Sequence, residues 1–277
     1  MELGVVLMMG SGGLTPPELG RAVEERGFES LFCAEHTHLP VASKRADGRP
    51  ARPYADTWDP FVALAAVAAV TSTIRIGTAV CLVTQRDPIT LAKEVASLDR
   101  ISGGRVEFGV GAGWNRAEMA NHGTDPSTRM ALMADRVRAM RAIWTADEAE
   151  YHGEHVSFGP VWSWPKPVQQ PHPPVLVGGN GPGTEDRVLA FGDGWLPQSG
   201  PLASIDEFRR RVTALRQRAA HAGRGHIPVT VFSPPPDRAI LEQFAEAGAD
   251  RCLLALVHPT ASQTLATLDQ WAQLSLD

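Results

Sequence analysis

Residues 105–119 read R-V-E-F-G-V-G-A-G-W-N-R-A-E-M and combine a strand pattern with a glycine-rich turn. Apolar side chains alternate with small or polar ones over 106–110, which is typical of a β-strand. The strand runs into Gly111-Ala112-Gly113, where a planar or anionic group can approach the backbone amides closely. Trp114 and Asn115 follow at once, adding an indole that can cover a ring and a carboxamide that can bind a polar edge. Because short glycine patterns also occur in ordinary strand-to-helix turns, the stretch needs support from the rest of the chain.

Strand-like and helical segments alternate along the whole chain. Besides 106–110, the predicted strands are 2–9, 30–34, 74–81, 175–178, 194–196, 227–232 and 251–257. The predicted helices are 15–27, 57–71, 88–101, 126–144, 184–191, 204–222, 236–247 and 260–274. Eight strand–helix units in 277 residues predict an α/β fold, a (β/α)8 TIM barrel that forms one domain over 1–277. An open doubly wound sheet is the alternative.

Two segments interrupt this alternation. Residues 37–56 show no periodicity and are rich in proline, glycine and charge, which predicts a long mobile loop. Residues 146–174 contain Trp162, Trp164 and several prolines, and only short strand-like pieces near Val156. This second segment is interpreted as an irregular insertion before the fifth strand of the barrel, not as a second domain.

In a parallel barrel the carboxyl ends of all strands lie on one face. Four unusual turns follow predicted strands, at 35–36, 79–80, 111–115 and 178–183. The barrel therefore predicts that these turns form a single site.

Composition and charge exclude several classes of function. The net charge is −5 and lysine and arginine are not pooled in one block, so nucleic acid is not expected as a partner. The longest small-apolar run, 61–70, is far shorter than the roughly 20 residues of a membrane span. The first residues lack the basic region of a signal peptide, so a cytoplasmic protein is expected. The cysteines, which are Cys33, Cys81 and Cys252, lie far apart in apolar segments and are expected to be buried thiols, with no disulfide or metal site.

Four motifs stand in order along the chain: S-L-F-C-A-E-H at 30–36, I-R-I-G-T-A-V at 74–80, L-D-R-I-S-G-G-R at 98–105, and V-G-G-N-G at 177–181 with G-D-G-W at 192–195. With these motifs the chain resembles the luciferase-like monooxygenase superfamily over nearly its whole length. The resemblance implies a (β/α)8 oxidoreductase that uses FMN or the deazaflavin coenzyme F420. It also implies a small-molecule substrate and a homodimer.

The resemblance also assigns the cofactor pocket. Ala79-Val80 falls where deazaflavin-using members carry a non-prolyl cis peptide behind the central ring, an ordinary trans strand end being the alternative. The turn at 178–183 matches the phosphate cradle of the family, in which backbone N–H groups and a helix N-terminus bind an anion. Trp114 replaces the acidic residue that sugar-phosphate dehydrogenases of the family use, which argues against that substrate. The predicted cofactor-binding residues are Ala79, Val80, Gly111, Gly113, Trp114, Asn115, Gly178, Gly179, Asn180 and Gly181.

His36 is the predicted catalytic residue. An imidazole at a strand end can bind a substrate oxygen or take its proton while hydride moves to or from the deazaflavin, although a lone histidine can also be merely packed or solvated. Glu35 stands where deazaflavin dehydrogenases of the family often carry aspartate, and it is predicted to orient the cofactor or the imidazole. His38 is the weaker candidate. No nucleophile elbow and no cluster with metal-ligand spacing accompanies these residues.

The predicted cofactor is coenzyme F420, with FMN as the alternative. The loop at 37–56 contains Lys44, Arg45, Arg49 and Arg52 against Asp47 and Asp56, and such a loop could bind the anionic tail of F420. With FMN, the protein would be a two-component monooxygenase that receives reduced flavin from a partner reductase. A flavin-binding protein without turnover and a barrel lyase or isomerase that uses His36 as base are further alternatives. The tryptophans at 58, 114, 162 and 164 are compatible with a roomy apolar substrate pocket.

Overall fold

The structure is a computed structural model, which describes residues 1–9, 12–200, 202, 204–257 and 260–274. Within these residues the strands, in chain order, are β1 (Glu2–Met9), β2 (Ser30–Cys33), β3 (Arg75–Thr78), β4 (Cys81–Leu82), β5 (Val106–Gly111), β6 (Glu148–His152), β7 (Ser157–Trp162), β8 (Val175–Gly178), β9 (Gly194–Leu196), β10 (Thr230–Phe232) and β11 (Arg251–Val257). The helices are α1 (Pro16–Glu25), α2 (Pro60–Ala68), α3 (Pro88–Ser102), α4 (Arg116–Asn121), α5 (Arg129–Thr145), α6 (Thr184–Phe191), α7 (Ile205–His221), α8 (Arg238–Glu246) and α9 (Ala261–Ala272).

Parallel strands form a barrel in the order β10-β11-β1-β2-β3-β5-β8-β9, and the short strand β4 pairs with β5. Two further parallel bridges, Trp195 with Val229 and Gln198 with Phe232, connect β9 to β10 and so close the ring. The predicted (β/α)8 barrel is confirmed. Because each strand is followed by helix on the outside, the turns after the strands share the C-terminal face.

The barrel has two apolar cores, because side chains of a strand point alternately to its two faces. One core lies between the sheet and the surrounding helices and includes the fully buried Leu64, Val95 and Trp195. The other fills the inside of the barrel and consists of Val6, Phe32, Ala79, Leu176, Leu196, Phe232 and Leu253. The three cysteines are free and buried, as predicted for packed thiols. No helix in the described part of the chain combines the length and hydropathy that a membrane span requires.

Ion pairs connect several strands inside the barrel at its N-terminal end. Arg251, the first residue of β11, donates through Nη1 to Glu107 Oε2 of β5 at 2.7 Å and through Nη2 to Glu29 Oε1 at 2.8 Å. Arg75, the first residue of β3, also donates to Glu107. Burial by itself would raise the pKa of Glu107, but the hydrogen bonds and charges of Arg251 and then of Arg75 outweigh it and hold that pKa below its usual value. The N-terminal end of the barrel interior, here called the floor of the barrel, therefore contains a largely buried network of ion pairs.

Several predicted boundaries were wrong by a few residues. Helix α2 begins at Pro60, not at 57, because the carboxylate of Asp59 accepts hydrogen bonds from the N–H groups of the first turn. The third strand, predicted at 74–81, is divided into β3 and β4 by a cis peptide between Ala79 and Val80. The short helix α4 and the first strand of the insertion, β6, were not predicted, because six and five residues are too few to show a clear period.

The predicted insertion at 146–174 is an antiparallel hairpin of β6 and β7, followed by an irregular return to β8. Asp99 of α3 fastens this return: its carboxylate accepts hydrogen bonds from the amides of Val168 and Gln169 at 2.7 and 3.0 Å. The loop at 37–56 contains a smaller turn in which Lys44 pairs with Pro50, and then a 3-10 helix at Arg52–Ala55. Its mobility stays a prediction, but Ala51 is fully buried.

Candidate active site

The four turns expected to form one site meet at the C-terminal face of the barrel. Val80 and Trp114 line two adjoining cavities there. His36 lines one of these cavities, and Gly179 lines the other. The barrel therefore brings the predicted catalytic residue, the cis peptide and the glycine turns to one mouth.

Val80 explains two of the predicted glycines in a way that the sequence did not suggest. The peptide bond between Ala79 and Val80 is cis, as the resemblance implies. A Cβ atom on Gly111 would collide with the Val80 side chain, and one on Gly178 would lie 2.8 Å from Val80 Cγ1. Glycine is thus required at 111 and 178 because the Val80 side chain occupies the space of a Cβ atom. The sequence had instead suggested that these glycines leave the backbone open to a ligand.

The turn at 178–183 has the features of an anion-binding loop. Gly179 has φ +114°, a conformation that residues with a side chain rarely adopt. Gly181 faces open space, with no heavy atom within 4 Å of a Cβ built on it. Gly183, the N-cap of α6, offers no side chain to the amides of the first helical turn. Arginines neutralise the two acidic side chains in the first turn of α6: Glu185 pairs with Arg211 at 2.5 Å, and Asp186 pairs with Arg218.

Asn180 fastens this turn to the next one along the barrel. Its Oδ1 accepts a hydrogen bond from Gln198 N at 2.8 Å, and its Nδ2 donates to Gln198 O at 2.9 Å. The Asn180 carboxamide is therefore used inside the protein. Its predicted contact with a cofactor stays a prediction.

His36 stands in a chain of three hydrogen-bonded side chains. Its Nδ1 lies 2.9 Å from Glu118 Oε2, and its Nε2 lies 3.2 Å from Nε1 of Trp114. An indole nitrogen can only donate, so Nε2 is the acceptor, and the proton on Nδ1 is donated to Glu118. The contacts thus select the neutral tautomer whose lone pair points toward Trp114. Glu118 is fully buried and His36 is 11% exposed, so bulk water has little access to their hydrogen bond.

The loop at 37–56 covers the other side of the imidazole. Tyr54 stacks on His36 with the ring planes 15° apart and the centroids 6.1 Å apart. Thr57 Oγ1 donates to the carbonyl oxygen of His36 at 2.7 Å. Arg45 lies over the Tyr54 ring and lines the outer part of the mouth. The imidazole is therefore held in position from three sides.

The carboxylate that contacts the imidazole is that of Glu118, not that of Glu35. A role of Glu35 in orienting the cofactor stays a prediction. One carboxylate oxygen of Glu35 accepts a hydrogen bond from Leu82 N at 2.6 Å, and the other binds Arg86 at 2.7 Å. Burial would lower the pKa of Arg86, but the charge of Glu35 outweighs it and raises that pKa above the ordinary value. Glu35 thus anchors the segment that follows the cis peptide.

Asn115 has its side chain engaged within the protein. Its Oδ1 caps α4 by accepting hydrogen bonds from the amides of Ala117 and Glu118 at 3.1 and 3.2 Å, and its Nδ2 donates to Ser43 Oγ at 2.7 Å. The cap places Glu118 in the first helical turn, facing His36. Asn115 therefore acts on the site through Glu118, and its predicted contact with the cofactor is not tested by these bonds.

Glu118, Tyr54 and Gln198 belong to the site but were not among the predicted residues. The only local signal for Glu118 is its place three residues after a cap-forming asparagine. Tyr54 lies in a loop without periodicity, and Gln198 follows a three-residue strand. No motif distinguishes these two residues.

The residues present fit a flat, largely apolar ring with an anionic tail. Apolar side chains line the pocket beside the cis peptide, namely Ala79, Val80, Leu82, Leu196 and Phe232. The glycine backbone at 111–113 lines the same pocket, and the turn at Gly179 lies at its edge. A ring in this pocket would be held by Val80 and Leu82, while the 178–183 turn would bind an anionic group.

Comparison with known proteins identifies the family. The sequence model of the luciferase-like monooxygenase family matches residues 15–236. The chain belongs to this family. The family consists of oxidoreductases and monooxygenases, so an enzyme is expected at the mouth of the barrel. A monooxygenase from Streptomyces bottropensis has the same fold, with a TM-score of 0.82 at 20% identity, over 99% of this chain and 98% of that one.

Luciferase-like relatives differ in their cofactor. An uncharacterised protein of Mycobacterium tuberculosis is 42% identical over 98% of both chains. An F420-dependent glucose-6-phosphate dehydrogenase of Kineococcus radiotolerans is 30% identical over 78% of this chain and 64% of its own length. An FMNH2-dependent dimethylsulfone monooxygenase of Pseudomonas putida is 30% identical over 49% of this chain and 38% of its own length.

Proposed function

We propose that the protein is an oxidoreductase that transfers hydride between coenzyme F420 and a small organic substrate at the C-terminal face of the barrel. The observation that carries the proposal is the chain Glu118–His36–Trp114 at a mouth that also contains the cis peptide of Ala79 and Val80. The imidazole therefore lies close to the apolar pocket beside Val80, which supports its role as the proton-transfer group.

His36 would handle the proton that accompanies hydride transfer. When bound, the deazaflavin accepts or supplies the hydride. In the oxidation of an alcohol, His36 Nε2 takes the hydroxyl proton, and the buried carboxylate of Glu118 stabilises the resulting imidazolium. In the reverse direction the imidazolium returns this proton to the carbonyl oxygen. The indole N–H of Trp114 points at the same acceptor and would donate to the substrate oxygen once that oxygen lies between the two rings.

Coenzyme F420 is preferred over FMN because the loop at 37–56 carries more basic than acidic side chains. Lys44, next to the mouth-lining Arg45, is exposed, and so is Arg52, so these two side chains of the loop offer positive charge to an anionic tail. FMN is the alternative cofactor, supported by the FMNH2-dependent relative, and it would require a partner reductase. The homodimer and the cytoplasmic location remain predictions from the resemblance and from the composition.

An anaerobic titration separates the two cofactors. The purified protein is titrated with F420 and FMN, each oxidised and reduced, and the dissociation constant is obtained from cofactor fluorescence. We expect F420 to bind at least tenfold more tightly than FMN. Tighter binding of reduced FMN would instead favour the monooxygenase, and binding of neither would refute the proposed function.

Replacing Gly179 with valine tests the anion-binding turn. A β-branched residue is strained at φ +114°, so the turn should move and the affinity for F420 should fall tenfold or more, about 1.4 kcal/mol. The control is Gly225→Ala, at a glycine without positive φ and with open space around its Cβ position. An unchanged dissociation constant in a folded Gly179→Val protein would place the anion elsewhere.

A further inference from the structure

Gln198 lies where the cavities of the mouth join. It lines the pocket beside Val80 and also the cavity that contains His36. It lines the two outer cavities near Arg45 and Tyr54 as well. A molecule that extends from the ring pocket past His36 into the outer mouth therefore passes within reach of Gln198.

The backbone of Gln198 is fixed, while its side chain is available. Asn180 binds both the N–H and the carbonyl oxygen of Gln198, and a β-bridge joins Gln198 to Phe232. Its carboxamide is exposed and makes no hydrogen bond with any residue that the structure describes. A primary carboxamide carries two donor hydrogens and one acceptor oxygen. The fold therefore presents an uncharged hydrogen-bonding group from a fixed position.

The rest of the mouth gives little reason for a charged substrate to bind. Its walls around Gln198 are largely apolar, including Met8, Leu82, Phe232, Ala255 and Val257. The charged groups that line it already have partners: Arg45 pairs with Asp47 at 3.4 Å, and Glu35 pairs with Arg86. Burying an anion here would therefore require a new counter-charge or the loss of an existing pair.

We propose that Gln198 determines substrate specificity, selecting uncharged molecules that carry a second hydrogen-bonding group besides the oxygen that faces His36. This inference rests on the proposed function and adds to it a substrate class. A neutral polar group of the substrate would bind the carboxamide, while the substrate carbons pack against the apolar walls. The same carboxamide could instead bind a polar edge of the cofactor, and the experiment has to distinguish these two ligands.

Three ketones with one carbon ring provide the probes: cyclohexanone, 4-hydroxycyclohexanone and 4-oxocyclohexanecarboxylate. Their dissociation constants are measured with protein loaded with oxidised F420, where no hydride can be transferred, by fluorescence quenching. Rates with reduced F420 follow. Since a neutral hydrogen bond contributes about 1 kcal/mol, the hydroxyketone should bind about fivefold more tightly than cyclohexanone. The carboxylate should bind most weakly.

Variants of Gln198 make the test specific. Gln198→Leu should bring the affinity ratio of hydroxyketone to cyclohexanone to about one, with the dissociation constant of F420 unchanged within twofold. Gln198→Lys should instead increase binding of the carboxylate, a gain that misfolding cannot produce. Gln217→Leu, on the exposed surface of α7, is the matched control and should keep the wild-type ratio.

Three results would overturn the inference. One is a Gln198→Leu protein that keeps the fivefold preference. Another is a fall in F420 affinity at an unchanged ketone ratio, which would assign the carboxamide to the cofactor. The third is a wild type that binds the carboxylate best. The ketone titrations are repeated on cofactor-free protein through tryptophan fluorescence, so failure of F420 binding refutes the proposed function while Gln198 is still tested.

Discussion

His36→Ala is expected to lower turnover by roughly 10²–10⁴ while the affinity for F420 stays within a few-fold of wild type, the usual range for loss of a positioned acid or base. Binding and catalysis should separate because the proposed cofactor contacts, the pocket beside Val80 and the turn at Gly179, do not include the imidazole. The measurement is the rate at which reduced F420 is reoxidised by a panel of ketones, enones and quinones. A parallel fluorescence titration gives the dissociation constant.

Two further variants define what the imidazole does. In Glu118→Gln the new carboxamide can donate to Nδ1, which favours the tautomer with the proton on Nε2, so turnover should fall at least tenfold while F420 still binds. His38→Ala, at a half-buried neighbour outside the chain of three side chains, should leave turnover nearly unchanged. A joint loss of binding and turnover in His36→Ala would make His36 a cofactor-positioning residue. No change in either would make it a bystander.

Arg251→Met should destabilise the fold by about 3–5 kcal/mol, the usual cost of removing one partner from a buried ion pair. The substitution leaves Glu107 with Arg75 and removes the partner that the Glu29 carboxylate has among the described residues. The free energy of unfolding is measured by urea titration at neutral pH. Arg238→Met, which removes an exposed pair with Glu242 on α8, should change it by only about 0.5 kcal/mol or less.

The pH dependence of this effect has a definite sign. In the wild type the pKa of Glu107 is lowered, so its contribution to stability is present above the ordinary carboxyl pKa and is lost as the pH falls through the folded value. Without Arg251, fewer interactions offset the effect of burial, so the pKa of Glu107 rises. Protonation of Glu107 then removes the cost of its unpaired buried charge in the variant. The stability difference between wild type and Arg251→Met should therefore narrow toward acid pH. A difference below 1 kcal/mol at neutral pH would show that the network is not needed for stability.

Much of the barrel was predictable because its signals are local. Helix α6 and strands β1, β9 and β11 lie at the predicted residues, since each has a clear run of apolar residues or a clear break on either side. Helix α7 begins after Ser204, whose side chain caps it as predicted. The cis peptide of Ala79 and Val80 was also anticipated, but through the family resemblance and not through any physical pattern.

The alternation of strands and helices, the four turns on one face and the choice of His36 for proton transfer could all be predicted from the amino-acid sequence. Which side chains meet at that face could be seen only in the folded barrel. Glu118, which is 82 positions away in the chain, contacts His36, while the adjacent Glu35 binds Arg86. Gly111 and Gly178 are explained by Val80, on a different strand. These contacts depend on barrel closure and strand register, which bring distant residues together and leave no trace in local periodicity.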